Sequence, residues 1–410
     1  MITFRARSLL LLAIAAFASS ASMRICDPLI PEFVRSFGVT EGSASWVISA
    51  FSIAYGSLQI LYGPAGDRHG KYRVVAIVTT ACALATLAAA VAPTFTWLVV
   101  ARVAAGASAA AIIPMSMAWI GDEVPYERRQ ATLARLLTGQ ILGVIAGQVL
   151  GGLFADTLGW RWCFALLAGV FSTAAVLLWR RLAGAPPVPP PDPARRRSPL
   201  AGALEVLGLK RAQCILAIVF VEGMAVYGPF AFVPAYLHAH FHTPLTAAGL
   251  IAGTYGLGGL LYALAVTRLL NRIGERGFAL AGGVILGIGF LAYATAPAWA
   301  WALPAGALTG LGFYMLHNTL QTHATQMFPE RRGTAVSMFV SAFFLGQSAG
   351  TAVMGPLIGT IGFTLPFVTA ALVLPCAGLW LAAISSPRTP PPAPRPGPHC
   401  RDGRSKEVRA

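Results

Sequence analysis

Apolar stretches long enough to cross a hydrocarbon layer fill most of this chain, and they narrow its fold more than any motif does. A bilayer core is about 30 Å thick, so a spanning helix needs about 20 mostly apolar residues. Such stretches lie at 8–31, 44–65, 74–92, 96–119, 131–155 and 161–181, then at 212–236, 245–268, 278–296, 299–322, 334–358 and 364–385. Only 11% of the residues are charged and 56% are hydrophobic, against roughly 25% charged in a soluble domain. A water-soluble fold of 410 residues could not hide so much apolar surface. The expected class is an all-α membrane protein, twelve transmembrane helices in two six-helix bundles, with the lipid bilayer as its first partner.

A net charge of +15 would suggest nucleic acid in a soluble protein. Here the basic residues sit between apolar runs and at the chain ends, with no aromatic-basic platform, so no nucleic-acid partner is expected. The loops after spans 2, 4, 8 and 10 carry Arg68–Lys71–Arg73, Arg128–Arg129, Arg272–Arg276 and Arg331–Arg332, whereas those after spans 3, 7, 9 and 11 carry no Lys or Arg. Arg35 and Arg161 fall on the other side and Arg24 and Arg102 inside the bilayer, leaving 26 of the 30 basic residues on one face. By the positive-inside rule that face is cytoplasmic, and both termini lie on it. Arg5 and Arg7 before an apolar run also look like a cleavable leader. That run continues to Ile30, however, and removing it would leave an odd number of spans.

Between the sixes lies AGAPPVPPPDPARRRSP, Ala183 to Pro199, where proline density forbids a continuous helix and Arg195–Arg197 keep the segment cytoplasmic. The division expected is a first bundle at 1–182, a linker at 183–210, a second bundle at 211–386 and a disordered Pro- and Arg-rich tail at 387–410. The two bundles repeat each other at an offset of 203–204 residues. Trp97 falls on Trp301, Gly106 on Gly310, Pro125 on Pro329, Gly143 on Gly346, Gly147 on Gly350 and Gly70 on Gly274. Six cysteines (26, 82, 163, 214, 376 and 400) form no CxxC or metal spacing and read as small buried hydrophobes.

Three motifs carry a resemblance. The loop after span 2, GPAGDRHGKYR, resembles the signature of the major facilitator superfamily at Gly63, Asp67, Arg68, Gly70, Lys71 and Arg73. Parallel halves about an axis along the membrane normal are a symmetry for which this superfamily is itself the standard instance. The resemblance implies that Asp67 sits at the positive N-terminal end of span 11, near Gly333, as a conformational latch; ordinary loop charge is the plainer account. The second copy, TRLLNRIGER, has Asn271 in place of the acid, so the halves would be latched unequally. Span 4 resembles the family's LxxxRxxxG element at Arg102 and Gly106. Span 5 reads GVIAGQVLGG, resembling the antiporter motif through Gly143, Gly147, Gly151 and Gly152, with Gln148 where the family usually has proline. As small-xxx-small spacing it is also a helix-packing seam.

An arginine inside the bilayer costs several kcal/mol unless paired or hydrated. Arg24 and Asp27 share a face of span 1 at i, i+3, and matching depth makes Asp27–Arg102 the expected couple. In the plainer account Asp27 only caps span 1 before Pro28 while Arg24 snorkels. Glu222 lies mid-span in span 7, unpaired as far as sequence tells, as a proton carrier or cation contact. Asp27, Arg24, Arg102 and Glu222 are thus the proton-coupling candidates. His317, Asn318 and Gln321 on span 10, Tyr55 and Gln59 on span 2 and Tyr227 on span 7 are cavity candidates, with core packing the alternative for each. His238, His240 and His242 have metal-like spacing but no acid beside them, so no metal is expected.

The resemblance implies a secondary active transporter working by alternating access, similar in motif content to bacterial proton-coupled drug and metabolite exporters of the cytoplasmic (inner) membrane. It implies no enzymatic activity and no cofactor beyond the proton gradient, a small-molecule substrate and a monomer. No GxxxxGK[ST] loop is present, which disfavours ATP as the drive. Two rivals stand: an importer or facilitator on the same fold, and a non-transporting membrane sensor or scaffold.

Overall fold

The computed structural model describes residues 2–183 and 199–385. The proline-rich stretch with Arg195–Arg197, the tail from Pro387 and Cys400 lie outside the described residues. Among those described, all regular structure is helical. The first half comprises α1 (Ile2–Arg24), α2 (Ile30–Phe37), α3 (Glu41–Ala44), α4 (Trp46–His69), α5 (Lys71–Ala90), α6 (Phe95–Ala109), α7 (Ile112–Glu123), α8 (Tyr126–Asp156) and α9 (Trp160–Leu182). A short α10 (Pro199–Leu207) follows, in a stretch the sequence reading treats as linker. The second half comprises α11 (Lys210–Phe230), α12 (Val233–Phe241), α13 (Leu245–Ala294), α14 (Ala302–Met327), α15 (Arg332–Ile361) and α16 (Thr364–Ile384).

Nine helices among the described residues are long and apolar enough to cross a membrane. One of them, α13, is two helices joined at Gly274, whose φ of +67° and ψ of 176° leave the helical range. Two further helices fall outside the nine. From α1, Ser8–Arg24 is apolar but shorter, and α14 is diluted by His317, Asn318, Gln321, Thr322 and His323. Leu84, Val100, Leu264 and Leu372 point outward and exposed, as lipid-facing side chains do.

Three expected spans are interrupted. The chain breaks at 25–29, where Pro28 cannot donate to the helix, and α2 resumes the path. It breaks again between α6 and α7 and between α11 and α12. The breaks at 25–29 and 231–232 are counterparts under the repeat offset.

The repeat is written into the backbone as well. All positive-φ residues among those described form pairs: Gly38 with His242, Gly70 with Gly274 and Gly159 with Gly362, separated by 204, 204 and 203 residues. The packing seams repeat too. A Cβ on Gly143 or Gly147 would stand 2.3 or 2.5 Å from the carbonyl oxygen of Phe17 or Ala21, fixing α8 against α1. One on Gly346 or Gly350 would stand 2.1 or 2.4 Å from that of Phe220 or Met224, fixing α15 against α11 in the same way.

Between the halves, α8 packs on α13 and α15 packs on α4. The arginine-rich turns α4–α5, α7–α8 and α14–α15 and the Gly274 kink mark one end of the molecule, the basic end. Contacts across the halves begin at the far end, with Gly42 against Pro356 and Gly152 against Leu245, and continue to Gly56 against Ser341 and Gly256 against Ile145. One turn closer to the basic end, Leu137 and Thr138 are exposed. Nothing lies within 4 Å of the place a Cβ would take on Gly63. The contacts between the halves thus run from the far end to mid-depth.

Candidate functional site

At mid-depth, where α1, α4, α8, α11 and α15 converge, a charged cluster is sealed from solvent. Arg24 and Asp27 are 1% and 0% exposed, and one helical turn brings Arg24 Nη1 to 3.6 Å from Asp27 Oδ2. Gln148 Nε2, from α8, donates to the same Asp27 oxygen at 2.8 Å. Arg24 reaches across the halves as well: Nη2 donates to Gln347 Oε1 on α15 at 3.0 Å, and the guanidinium lies 3.7 Å from the centre of the Tyr227 ring on α11. Gln347 in turn donates through Nε2 to Ser52 Oγ on α4 at 2.9 Å. Beside it the Ser49 and Thr351 hydroxyls meet at 2.6 Å, and Ser348 Oγ donates to the Ser49 carbonyl.

Arg102 is buried but does not form the expected couple with Asp27. It donates to Ser22 Oγ at 3.1 Å, the Ser22 carbonyl at 2.9 Å and the Val47 carbonyl at 3.3 Å, and its guanidinium lies over Phe51. Depth matching put the two side chains close together. The Ser22 carbonyl and hydroxyl near the end of α1, with the Val47 carbonyl of α4, gave the fork of an arginine better-placed acceptors than the carboxylate.

Glu222 is not alone either. His317 Nδ1 lies 2.8 Å from its Oε2, and the imidazole stacks on Phe313 at 4.8 Å between centroids. Phe339 and Phe343 flank the same ring. Tyr227 shares a 2.6 Å hydrogen bond with Tyr255, and Tyr55 stacks on Phe344 of the other half at 4.0 Å. Gln59 is buried, Asn318 lies against Tyr262, and Gln321 is half-buried one turn beyond His317. Of the cavity candidates, Tyr55 and Tyr227 thus pack among aromatic rings and His317 pairs with the proton-coupling candidate Glu222, while Gln59, Asn318 and Gln321 belong to neither group.

The signature-loop residues stand apart from this centre. Asp67, Arg68 and Arg73 are exposed at the basic end, and Gly70 turns the chain with φ +85°. Lys71 pairs with Asp122 of α7. Among the described residues no hydrogen bond joins Asp67 to α15, so the contact that the resemblance implies is not made in this conformation. His238 Nδ1 meets the Thr243 carbonyl at 2.8 Å and His240 stacks on Tyr236.

The Major Facilitator Superfamily profile matches residues 12–243 and again 215–408. This chain belongs to the major facilitator superfamily. It is a multi-pass membrane transporter and not an enzyme, and transporters of this superfamily need no cofactor. The uncharacterized MFS-type transporter YwfA of Bacillus subtilis (strain 168) is 27% identical over 378 residues, 90% of this chain and 88% of YwfA. Puromycin resistance protein pur8 of Streptomyces alboniger is 34% identical over 144 residues, 34% of this chain and 28% of that protein. The crystal structure of the nucleoside transporter NupG has a TM-score of 0.74 at 16% identity, covering 92% of this chain and 98% of NupG. That last likeness is one of fold.

For a superfamily member the far-end closure matters, and here a carboxylate fastens it. Asp156, ending α8, accepts from the backbone N–H of Leu245 at 3.2 Å and of Thr246 at 2.6 Å, and from Thr246 Oγ1 at 2.7 Å. Pro244, the N-cap of α13, has no side-chain acceptor, so Asp156 caps that helix from the other half. Losing a cap costs about 0.5–2 kcal/mol. Asp156→Ala is therefore expected to speed amide exchange at Leu245 and Thr246 by about tenfold, read by hydrogen–deuterium exchange on the reconstituted protein. Unchanged exchange would mean that the closure does not depend on this cap.

Sequence reasoning missed Gln347, Ser52, Ser22, Tyr255 and Asp156. A signal for Gln347 was present: it follows Gly346, the counterpart of Gly143, and is an amide in a run otherwise built of small and apolar residues.

Proposed function

We propose that this transporter exports a small organic molecule in exchange for protons. It would span the bacterial cytoplasmic membrane twelve times with both termini inside, the basic end being the cytoplasmic one. The observation that carries the reading is the buried Asp27, held in one cluster with residues of both halves. An acid so placed can take a proton when the outer side is open and yield it when the inner side is open, as the halves rock about the cavity. Glu222, with His317, is a second proton site within the same aromatic-lined region. The membrane potential supplies about 2.3 kcal/mol per charge per 100 mV, before any pH term. Similarity of one stretch to a puromycin resistance protein supports a drug or drug-like metabolite as cargo. Closure from the far end to mid-depth fits an inward-facing state in which Asp67 has let go of α15; its capping of that helix would belong to the outward-facing state.

The test is gradient-driven flux of a compound panel in proteoliposomes, with Asp27→Asn and Glu222→Gln alongside. Asp27→Asn is expected to lose gradient-driven flux by at least about tenfold, or ~1.4 kcal/mol, while keeping downhill exchange. If both variants retain full gradient-driven flux, the proton assignment is wrong. Gln148 in the place of proline favours a second reading, import or facilitated passage on the same fold. Vesicles sorted by orientation separate the two.

A further inference from the structure

We infer that Gln347 makes Arg24 a two-position switch that ties the proton on Asp27 to closure of the outer side. The inference rests on the reading of Asp27 as a proton carrier and goes beyond it in naming the residue that passes the signal between the halves.

The geometry is that of an arginine handed from one half to the other. Arg24 belongs to the first half by sequence, yet its hydrogen bond and its ring contact both go to the second, to Gln347 and Tyr227. Its distance to Asp27, 3.6 Å, is that of an ion pair without a hydrogen bond. Arg24 Nη1 and Asp27 Oδ1 are buried and have no hydrogen-bond partner among the described residues. Arg24 Nη1 thus faces Asp27 Oδ2 with a hydrogen bond still to make, and Asp27 Oδ1 has an acceptor position unfilled. The Gln347 amide is oriented by its second bond. With Nε2 engaged by Ser52, its carbonyl oxygen is the atom left to face Arg24. An amide that bonds α1 and α4 at once holds α15 onto the first half along the outer contact.

The step moves one proton and no other atom. A proton entering from outside neutralises the Asp27 carboxylate, and Arg24 loses its counter-ion. The guanidinium then finds its best acceptors in the Gln347 carbonyl and the Tyr227 face, which draws α15 onto α4. When the proton leaves to the cytoplasm, Asp27 reclaims Arg24, Gln347 is released and the outer contact loosens. The groups facing Asp27 are few. Arg24 and Cys26 come from its own segment, Arg102 from α6, Gln148 from α8, and Tyr227 and Glu222 from α11 with His317 of α14 behind. Among the two arginines only Arg24 has a partner across the halves; Arg102 is tied to Ser22 and Val47 of its own half.

Hydrogen–deuterium exchange at Leu245 and Thr246 reads outer closure in the full-length reconstituted protein without any substrate. In the parent protein, protection there, corrected for intrinsic exchange, is expected to rise by about tenfold from mildly alkaline to mildly acidic medium. Gln347→Met keeps length and loses both hydrogen bonds, and should flatten this response at the low level. Gln347→Glu gives Arg24 a permanent anion on the second half, and should flatten it at the high level. Asp27→Asn should also be flat and high. A Gln347→Met protein that keeps the pH response, with Asp27→Asn having lost it, overturns the switch and leaves the proton assignment standing. A response surviving in Asp27→Asn overturns the proton assignment itself.

Discussion

Gly106→Val and Gly310→Val are each expected to yield almost no monodisperse protein on detergent extraction, whereas Gly169→Val should extract like the parent. A Cβ at Gly106 would stand 2.2 Å from the Phe51 carbonyl oxygen, and one at Gly310 would stand 1.9 Å from that of Tyr255. These are the same contact made once in each half, α6 on α4 and α14 on α13. The obstructing atom is helix backbone, which cannot swing aside as a side-chain tip can, so the whole helix would have to move. Overpacking typically costs about 1–3 kcal/mol, occasionally more, against a total stability of about 5–15 kcal/mol. Two branched methyl groups pressed onto a carbonyl belong at the upper end of that scale. Gly169 has open space around its missing Cβ, and valine there only adds lipid-facing surface. Size-exclusion profiles of the three variants at equal expression decide the matter, and a normal profile for Gly310→Val would mean that α13 and α14 are not packed this closely.

Arg24→Met should abolish gradient-driven transport and also weaken the fold. Removing one member of a buried pair costs about 3–5 kcal/mol because the other charge is left without compensation. In a bilayer, water offers little relief. Here the loss extends to the hydrogen bond with Gln347 and the contact with Tyr227, so two inter-half links go together. Asp27→Asn in the same protein removes the stranded charge and is expected to restore much of the thermal stability in detergent, without restoring coupling. The double-mutant cycle therefore separates the two roles of the arginine. If Arg24→Met alone melts like the parent protein, the cluster contributes nothing to holding the halves.

What the sequence made legible was whatever obeys a local period or the long internal offset. Helix-length apolar runs, the Gly143–Gly147 seam and the Gly70–Gly274 correspondence all follow from spacing, and each has its counterpart in the packing. Partner choice inside the bilayer obeys no such period. Arg24 and Gln347 are 323 residues apart, and nothing near either residue announces the other. Depth alone suggested Asp27 with Arg102, but depth does not tell which acceptor has the better angle, and the carbonyls of Ser22 and Val47 took that arginine. Glu222 looked solitary because its partner, His317, belongs to another helix of the same half. Gln148 was read as a departure from a pattern, when it is a donor to Asp27. Asp156 drew no reading at all, because the proline it compensates for, Pro244, stands at the start of α13 in the other half.

His242 adopts a φ of +55° at the place where the first half has Gly38 at +63°. A side chain there is disfavoured, and the position has kept its shape regardless. Arg24 and Tyr227, 203 residues apart, are likewise counterparts under the repeat offset, one a cation and the other the aromatic face on which it rests. A gene fused to its own copy would start with two identical halves meeting about an axis, and identical charges at that axis would repel. An aromatic in place of one of those charges turns the repulsion into attraction, so the asymmetry of this transporter's centre lets the halves meet there without a like-charge penalty.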